Sequence, residues 1–324
     1  MSSIPTNDPF NEKCKSCILL VGQLYLDYIL HVNEFPKEDL KVRANYAEQR
    51  TGGNTCNTAK VLVQFQKQNN IYYMSAVGSR ETSGHIIEAL RHQSIQTDDT
   101  IIYRHDKITP SSTIIHSEKT GSRTIISNHQ LESITFKEFV QLFEKIYQRS
   151  SSWWVHFEGR NIAETLQQID WLNEKAISEN WRHQLTISVE AEKPERADME
   201  QLIRRGDVVF LSKVFAQHHN HHSSKSFLTE STLLQQNLKS NAKAFCTWGS
   251  EEASALDNET NQIFQYSPLS IEKAVDSVGA GDTFNAGVIH YLSSSSQQSL
   301  GNALEFACNL ATKKVSQQGF DGLK

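Results

Sequence analysis

Short, largely apolar runs separated by segments of helical periodicity are the feature of this sequence that most narrows its fold. ILLV at 18–21, IYYMSAV at 71–77, WWVHF at 153–157, DVVFL at 207–211 and KAFCTW at 243–248 show little polar alternation, and LTISVE at 185–190, though it alternates, has the length and β-branched content of a further strand. Such runs suit strands buried on both faces of a sheet. Between them, residues 57–68, SGHIIEALRHQ from Ser83 and TFKEFVQLFEKIYQR from Thr135 predict helices, with Ser83 expected as an N-cap. Ile162, Leu166, Ile169, Leu172 and Ala176 recur at spacings of three and four, as do Leu300, Ala303, Leu304, Ala307, Leu310 and Ala311. Strand and helix in alternation predict an α/β fold, a mostly parallel sheet between helical layers.

One stretch departs from this pattern. In SSTIIHSEKTGSRTIIS, residues 111–127, two β-rich runs meet at Lys119-Thr120-Gly121, which predicts a hairpin. With residues 23–51 it is expected to form a small β appendage, drawn from about 23–51 and 110–128, on a single domain of 324 residues. That length, with 38% hydrophobic and 21% charged residues, is ample for a buried core. No window approaches the ~20 apolar residues that cross a bilayer. The opening MSSIPTNDPFNEK lacks the basic start and apolar centre of a signal peptide, so residues 1–15 are expected to be a flexible tail and the chain cytoplasmic. Its 32 basic and 37 acidic residues form no basic stripe, which argues against nucleic acid as a partner. Five cysteines, an odd number, suit reduced thiols. Cys14-Lys15-Ser16-Cys17 lacks the second pair that zinc needs, and HHNHH at 218–222 and SSSSQQS at 293–299 are expected as surface loops.

The chemistry concentrates in Asp276-Ser277-Val278-Gly279-Ala280-Gly281-Asp282-Thr283-Phe284. Its small residues let backbone approach a ligand closely, and the helical spacing of TFNAGVIHYL puts them at a helix N-terminus, where free N–H groups and the dipole favour an anion. A carboxylate beside a phosphate site can take the proton of an attacking hydroxyl. A plain glycine turn with Asp282 as a helix cap would share part of this pattern. Upstream, Gly52-Gly53-Asn54 precedes Asn57 at a helix start, and Gly22 and Asp27 lie in VGQLYLDYIL. Each of these residues alone is more often a turn or cap residue.

The full stretch from Asp276 to Gly287 resembles the second signature of the ribokinase-like (PfkB) carbohydrate kinases, and the Gly-Gly-Asn element resembles that family's sugar site. FPKEDLKVR, GSRTIIS, WVHFEGRN, SVEAEKPER, GDVVFLSK, DTFNAGVI and QGFDGL are similar, in the same order and across nearly the whole chain, to the ketohexokinase branch of the family. The resemblance implies a ribokinase-like three-layer α/β/α sandwich with a small β-sheet lid that makes a homodimer contact. It implies phosphorylation of D-fructose by ATP to fructose 1-phosphate and ADP, with Mg2+ on the phosphates, and it raises K+ as a further ion. By the same resemblance Asp282 is the catalytic base, the amides of Gly279, Ala280 and Gly281 form the anion hole, and Arg123 reaches toward the transferring phosphate. Asp27, Asp39, Gly53, Asn54 and Asn57 would hold the sugar. Lys213, Trp248, Gly249, Gly279, Gly281 and Cys308 would line the nucleotide groove.

Glu158, Glu190 and Glu192 are acidic candidates near the magnesium–phosphate region, and structural ion pairs explain them equally well. The family's N-x-x-E element is replaced by Ser212-Lys213-Val214-Phe215-Ala216, so no metal ligand is assigned. Gly249-Ser250-Glu251-Glu252 ends in Glu where the family carries Gly, and Glu252 is expected to weaken ATP binding. The rivals are another sugar or nucleoside kinase of the same family and a sugar-binding regulator of weak turnover. A dinucleotide-dependent oxidoreductase is opposed by VGQLYLDY, which stands where G-x-G-x-x-G would follow the first strand.

Overall fold

The computed structural model describes residues 16–66, 70–271, 274–294 and 299–324. The proposed tail 1–15, Cys14 and positions 295–298 of the serine-rich run lie outside the described residues. The first half runs β1 (Cys17–Val21), β2 (Tyr25–Val32), β3 (Tyr46–Gly52), α1 (Asn54–Phe65), β4 (Ile71–Val77), α2 (Arg80–His92), β5 (Ile101–Tyr103), β6 (Ser111–Ser117), β7 (Arg123–Asn128) and α3 (Phe136–Ile146). Then come β8 (Trp153–Phe157), α4 (Ile162–Ser178), β9 (Leu185–Ala191), α5 (Met199–Ile203), β10 (Val208–Leu211), α6 (Lys213–His218), α7 (Ser224–Glu230) and α8 (Thr232–Asn237). The chain closes with β11 (Lys243–Thr247), β12 (Ala253–Asp257), β13 (Gln262–Tyr266), α9 (Ala280–Ser294) and α10 (Leu300–Val315).

Nine strands form one sheet in the order β13-β12-β11-β10-β9-β8-β1-β4-β5, parallel from β11 to β5 and antiparallel at β12 and β13. Central β1 explains why its sequence has no polar alternation. Cys17, Leu19 and Val21 enter a core with Phe139, Phe143 and Leu172, while Ile18 and Leu20 enter a second core with Leu62, Ile289 and Leu304. Helices therefore cover both faces, giving the three layers of a ribokinase-like sandwich. Thr135 and Glu138 start α3 with a capping box. No helix among the described residues is long and apolar enough to cross a membrane.

Two helix starts differ from expectation. Ser79, not Ser83, caps α2 by accepting from the Thr82 N–H. Ser83 lies buried in the helix, with its hydroxyl 2.7 Å from that of Thr109. Helix α1 begins at Asn54, three residues early, because Gly53 takes φ +100° and turns the chain where a β-carbon would run into the Gln23 carbonyl. The histidine run is not a free loop throughout. His218 ends α6, and His219 stacks on Phe227 with centroids 6.2 Å apart.

A second sheet, β3-β2-β6-β7, lies apart from the first. Strands β2 and β6 are parallel, Leu26 against Ser111, and antiparallel partners flank them on each side. β6 and β7 are the arms of the hairpin that turns at Lys119-Thr120-Gly121, with His116 opposite Arg123. Alternate residues Arg123, Ile125 and Ser127 of β7 and Ser112 and Ile114 of β6 share one face, which looks into a cavity against the main sheet.

Candidate active site

The cavity, about 620 Å³, opens where β9, β10 and β11 end, the edge at which α/β sheets bind ligands. Asp282 reaches it from the first turn of α9 and is buried. Its Oδ2 accepts a 2.8 Å hydrogen bond from Asn57 Nδ2, and Thr58 Oγ1 donates to its backbone carbonyl at 3.3 Å. Burial, and next the charge of Glu190, raise the Asp282 pKa well above the usual range, with the Asn57 bond opposing them. Such a carboxylate accepts a proton readily.

Helix α9 begins at Ala280, so its first-turn N–H groups have no carbonyl within the helix to bond. Gly279 takes φ +75°, and its carbonyl accepts from Thr283 N at 2.9 Å and Oγ1 at 2.8 Å. A β-carbon at 279 would collide with the Phe320 ring, whereas one at Gly281 would meet nothing within 4 Å, because that position faces open space. The Ala280 N–H leans toward Ser277 O at 3.4 Å, a long bond that an incoming acceptor can replace.

On the other side of the cavity stand Asp27, Gly53, Asn54 and Asn57. Gly52 leaves room for the Asp27 carboxylate, which a β-carbon at 52 would strike. Burial raises the Asp27 pKa against a hydrogen bond from Ser112 and the charges of Lys60 and Arg50. Asn54 Nδ2 bonds Glu190 Oε2 at 3.1 Å and Glu192 Oε2 at 3.0 Å, and Asn285 Nδ2 bonds Glu190 Oε1. For Glu190 burial alone would raise the pKa, but His156 and these amides outweigh it and hold the carboxylate ionised. Burial and the neighbouring Glu190 charge raise that of Glu192.

A second cavity of about 650 Å³ shares Thr247, Ser277, Ala280, Gly281 and Phe284 with the first. Gly249, Ala253, Cys308, Ala311 and Val315 give it mostly apolar walls. Burial pushes the Cys308 thiol up to about 12, so it is a neutral packing surface. The size and apolar walls of this cavity suit a purine base, and its opening onto the start of α9 suits a phosphate tail.

Several residues singled out in the sequence stand elsewhere. Asp39 sits at φ 63° on the exposed connection between β2 and β3 and does not border the cavity. Lys213 pairs with Glu251 at 2.6 Å and stands 5.2 Å from the Trp248 ring centroid. Neither Lys213 nor the buried Trp248 borders the second cavity. Glu158 turns to the Gln23 N–H and Arg160. Glu252 points away from the second cavity, because its Oε1 accepts from both Ser224 N and Ser224 Oγ at 2.8 Å. The reading that Glu252 obstructs nucleotide therefore loses its geometric basis. Arg123 borders the cavity from β7 and is exposed.

Tyr25, Arg160, Lys193 and Asn285 also border the site and were not singled out. Asn285 was within reach of the sequence, lying one helical turn after Asp282 on the same face. Arg160 donates to the Tyr25 hydroxyl at 3.0 Å across 135 residues of chain, a pairing that no local signal carries.

The sequence matches the pfkB family carbohydrate kinase over residues 15–322. It is 32% identical over 307 residues to mouse ketohexokinase, covering 94% of this chain and 98% of that protein. Among solved structures, a ribokinase from Giardia lamblia superposes with a TM-score of 0.76 at 16% identity, covering 96% of each chain. A putative ribokinase II from E. coli, solved with ATP and Mg2+, gives 0.74 at 15% identity, covering 95% of this chain and 96% of that one. The chain is a carbohydrate kinase of the pfkB family, with the ribokinase-like fold.

Proposed function

We propose that this kinase transfers the γ-phosphoryl group of ATP to the 1-hydroxyl of D-fructose, giving fructose 1-phosphate and ADP. The observation that carries the reading is Asp282, buried on the first cavity at the start of α9, beside the Ala280 and Gly281 that the two cavities share. Support for fructose comes from the likeness to mouse ketohexokinase over nearly the full length of both chains.

In this reading Asp27, Gly53, Asn54 and Asn57 hold the sugar, and ATP lies in the second cavity with its phosphates over Gly281. Asn57 anchors Oδ2 of Asp282, which leaves Oδ1 to take the proton of the attacking hydroxyl. The amides at 279–281 receive the charge that develops on the phosphoryl oxygens. Arg123 approaches the phosphates from the second sheet. Magnesium, when bound with the nucleotide, would supply positive charge across the phosphates, and Glu190 and Glu192 border the same cavity as Asp282. The second sheet over the sugar excludes water and limits ATP hydrolysis. Its outer face exposes Tyr28 (42%) and Ile126 (59%), which suits a homodimer formed through this sheet. A cytoplasmic location fits the use of ATP.

The test is ADP release with ATP–Mg2+ and a panel of fructose, other sugars and adenosine, with the product's phosphate placed by NMR. Fructose-dependent turnover with phosphate on carbon 1 is expected. Turnover confined to another acceptor would overturn the substrate assignment and keep the kinase. Sugar binding without turnover on any acceptor would favour a regulator.

A further inference from the structure

Behind the loop that leads into α9 lies a buried ionic cluster that the steps above do not use. Lys314 of α10 is fully buried, a rare setting for lysine. Its Nζ donates to the Asp276 backbone oxygen at 2.7 Å, pairs with Asp276 Oδ2 at 2.9 Å and lies 5.1 Å from the Phe320 ring centroid. Asp276 in turn shapes the loop. Its Oδ1 accepts from the Val278 N–H at 3.0 Å, and its Oδ2 accepts from the Gly319 N–H at 3.1 Å and from Arg50 of β3 at 2.9 Å. The Phe320 ring fills the space beside Gly279 that a β-carbon would need.

One ammonium therefore touches the carboxylate that folds the loop, the carbonyl at its start, and the ring that backs Gly279. Its bond holds the Asp276 carbonyl against α10, and Asp276 borders neither of the two cavities of the site. The ammonium also neutralises a carboxylate placed just behind the position where a phosphoryl group would sit. Desolvating an ammonium this fully is costly, and a plain packing role would be met by an apolar side chain of similar length.

We propose that Lys314 is a positioning residue for phosphoryl transfer, a tethered internal cation that holds loop 276–281 in the shape in which its amides meet the transferring group. This rests on the kinase reading of the site. The experiment uses Lys314→Met, which keeps the length and removes the charge. Calorimetry without sugar is expected to show ATP affinity falling about tenfold while ADP affinity changes less than about threefold, since the γ-phosphate alone needs the loop. With sugar, kcat should fall about 100-fold, the loss typical of a disabled oxyanion site, with the sugar KM within about twofold. Ammonium or methylammonium chloride, but not the tetramethyl salt, should restore part of the kcat.

A Lys314→Met protein that melts earlier but keeps the ATP-to-ADP affinity ratio and the kcat would show a merely structural ion pair and overturn the proposal. If that variant does not fold, Asp276→Asn removes the charge that the ammonium neutralises. It weakens the hold of that side chain on the Val278 and Gly319 N–H groups, so kcat is expected to fall, while ATP affinity falls less than in Lys314→Met because a negative charge behind the phosphoryl position is gone; a wild-type kcat in it would overturn the proposal. The calorimetric arm needs no turnover. A wild-type protein inactive on every acceptor would therefore defeat the kinase reading, while the ATP-to-ADP ratio would still decide the role of Lys314.

Discussion

Replacing Asp282 by Asn separates base chemistry from everything else in the site. The exchange keeps the shape and leaves a carbonyl oxygen for the 2.8 Å bond from Asn57, so the start of α9 should hold its geometry. What disappears is the proposed proton acceptor. A positioned general base contributes about 10² to 10⁴ in rate, and two features place this one toward the upper end. Burial and the Glu190 charge bring the proton affinity of Asp282 closer to working pH. Glu190 is poorly placed to take over, because its oxygens already accept from Asn54 and Asn285. The kcat should therefore fall about 10³- to 10⁴-fold, roughly 4–5.5 kcal/mol of lost transition-state stabilisation, with the acceptor KM within about twofold. Stability should move the other way. A carboxyl whose folded pKa is raised binds its proton more tightly in the folded state. Its ionisation then costs stability as pH rises from the unfolded pKa through the folded one. Asp282→Asn should consequently melt higher than wild type at about pH 8, with the gain shrinking toward the ordinary carboxylate range. Steady-state kinetics and thermal unfolding read both effects. A variant that keeps more than about a tenth of the kcat would refute the base role, and one less stable at alkaline pH would refute the electrostatic assignment.

Three further outcomes follow from the same geometry. The acid limb of the wild-type pH–rate profile should lie above the range of an ordinary aspartate, and Glu190→Gln should move it to lower pH by removing a charge that raises Asp282; an unmoved limb would show that another group sets it. Glu252→Ala should cost about 1–2 kcal/mol of stability through the lost Ser224 bonds and leave ATP affinity within about twofold, measured by calorimetry; a marked change in ATP affinity instead would restore the view that Glu252 faces the nucleotide. Gly279→Ala should cost about 1–2 kcal/mol in backbone strain at φ +75°, displace Phe320 and lower kcat about 100-fold; full activity would mean that the loop tolerates another shape.

The main sheet was legible because strands buried on both faces read as unbroken apolar runs, and WWVHF and IYYMSAV match β8 and β4 residue for residue. Strands β12 and β13 escaped notice because ASALD and QIFQY are short and mixed. Ser83 misled because a serine before an apolar helical stripe looks like a cap, whereas Ser79 sets the true start one turn earlier. Asp282 and the glycines could be placed because a helix start fixes neighbours within a few residues. Asp39, Lys213 and Glu252 could not, since each side chain's direction depends on partners far along the chain or on a loop's backbone.

The parallel pairing of β2 with β6 carries a consequence for how the molecule assembles. This one seam joins two hairpins, β2–β3 and β6–β7, and α1, β4, α2 and β5 lie between them in the chain. Bringing Leu26 to Ser111 has an entropic cost that neither hairpin meets alone. The second sheet should therefore form late, once β1, β4 and β5 have aligned and carried the hairpins together. The sandwich can then exist as a folded unit before its roof does, and the roof can open without loss of the sandwich. In a kinase that admits a sugar, that seam is where a boundary between a more stable and a more labile foldon is expected, and hydrogen exchange slower in β1 and β4 than in β6 and β7 would show it.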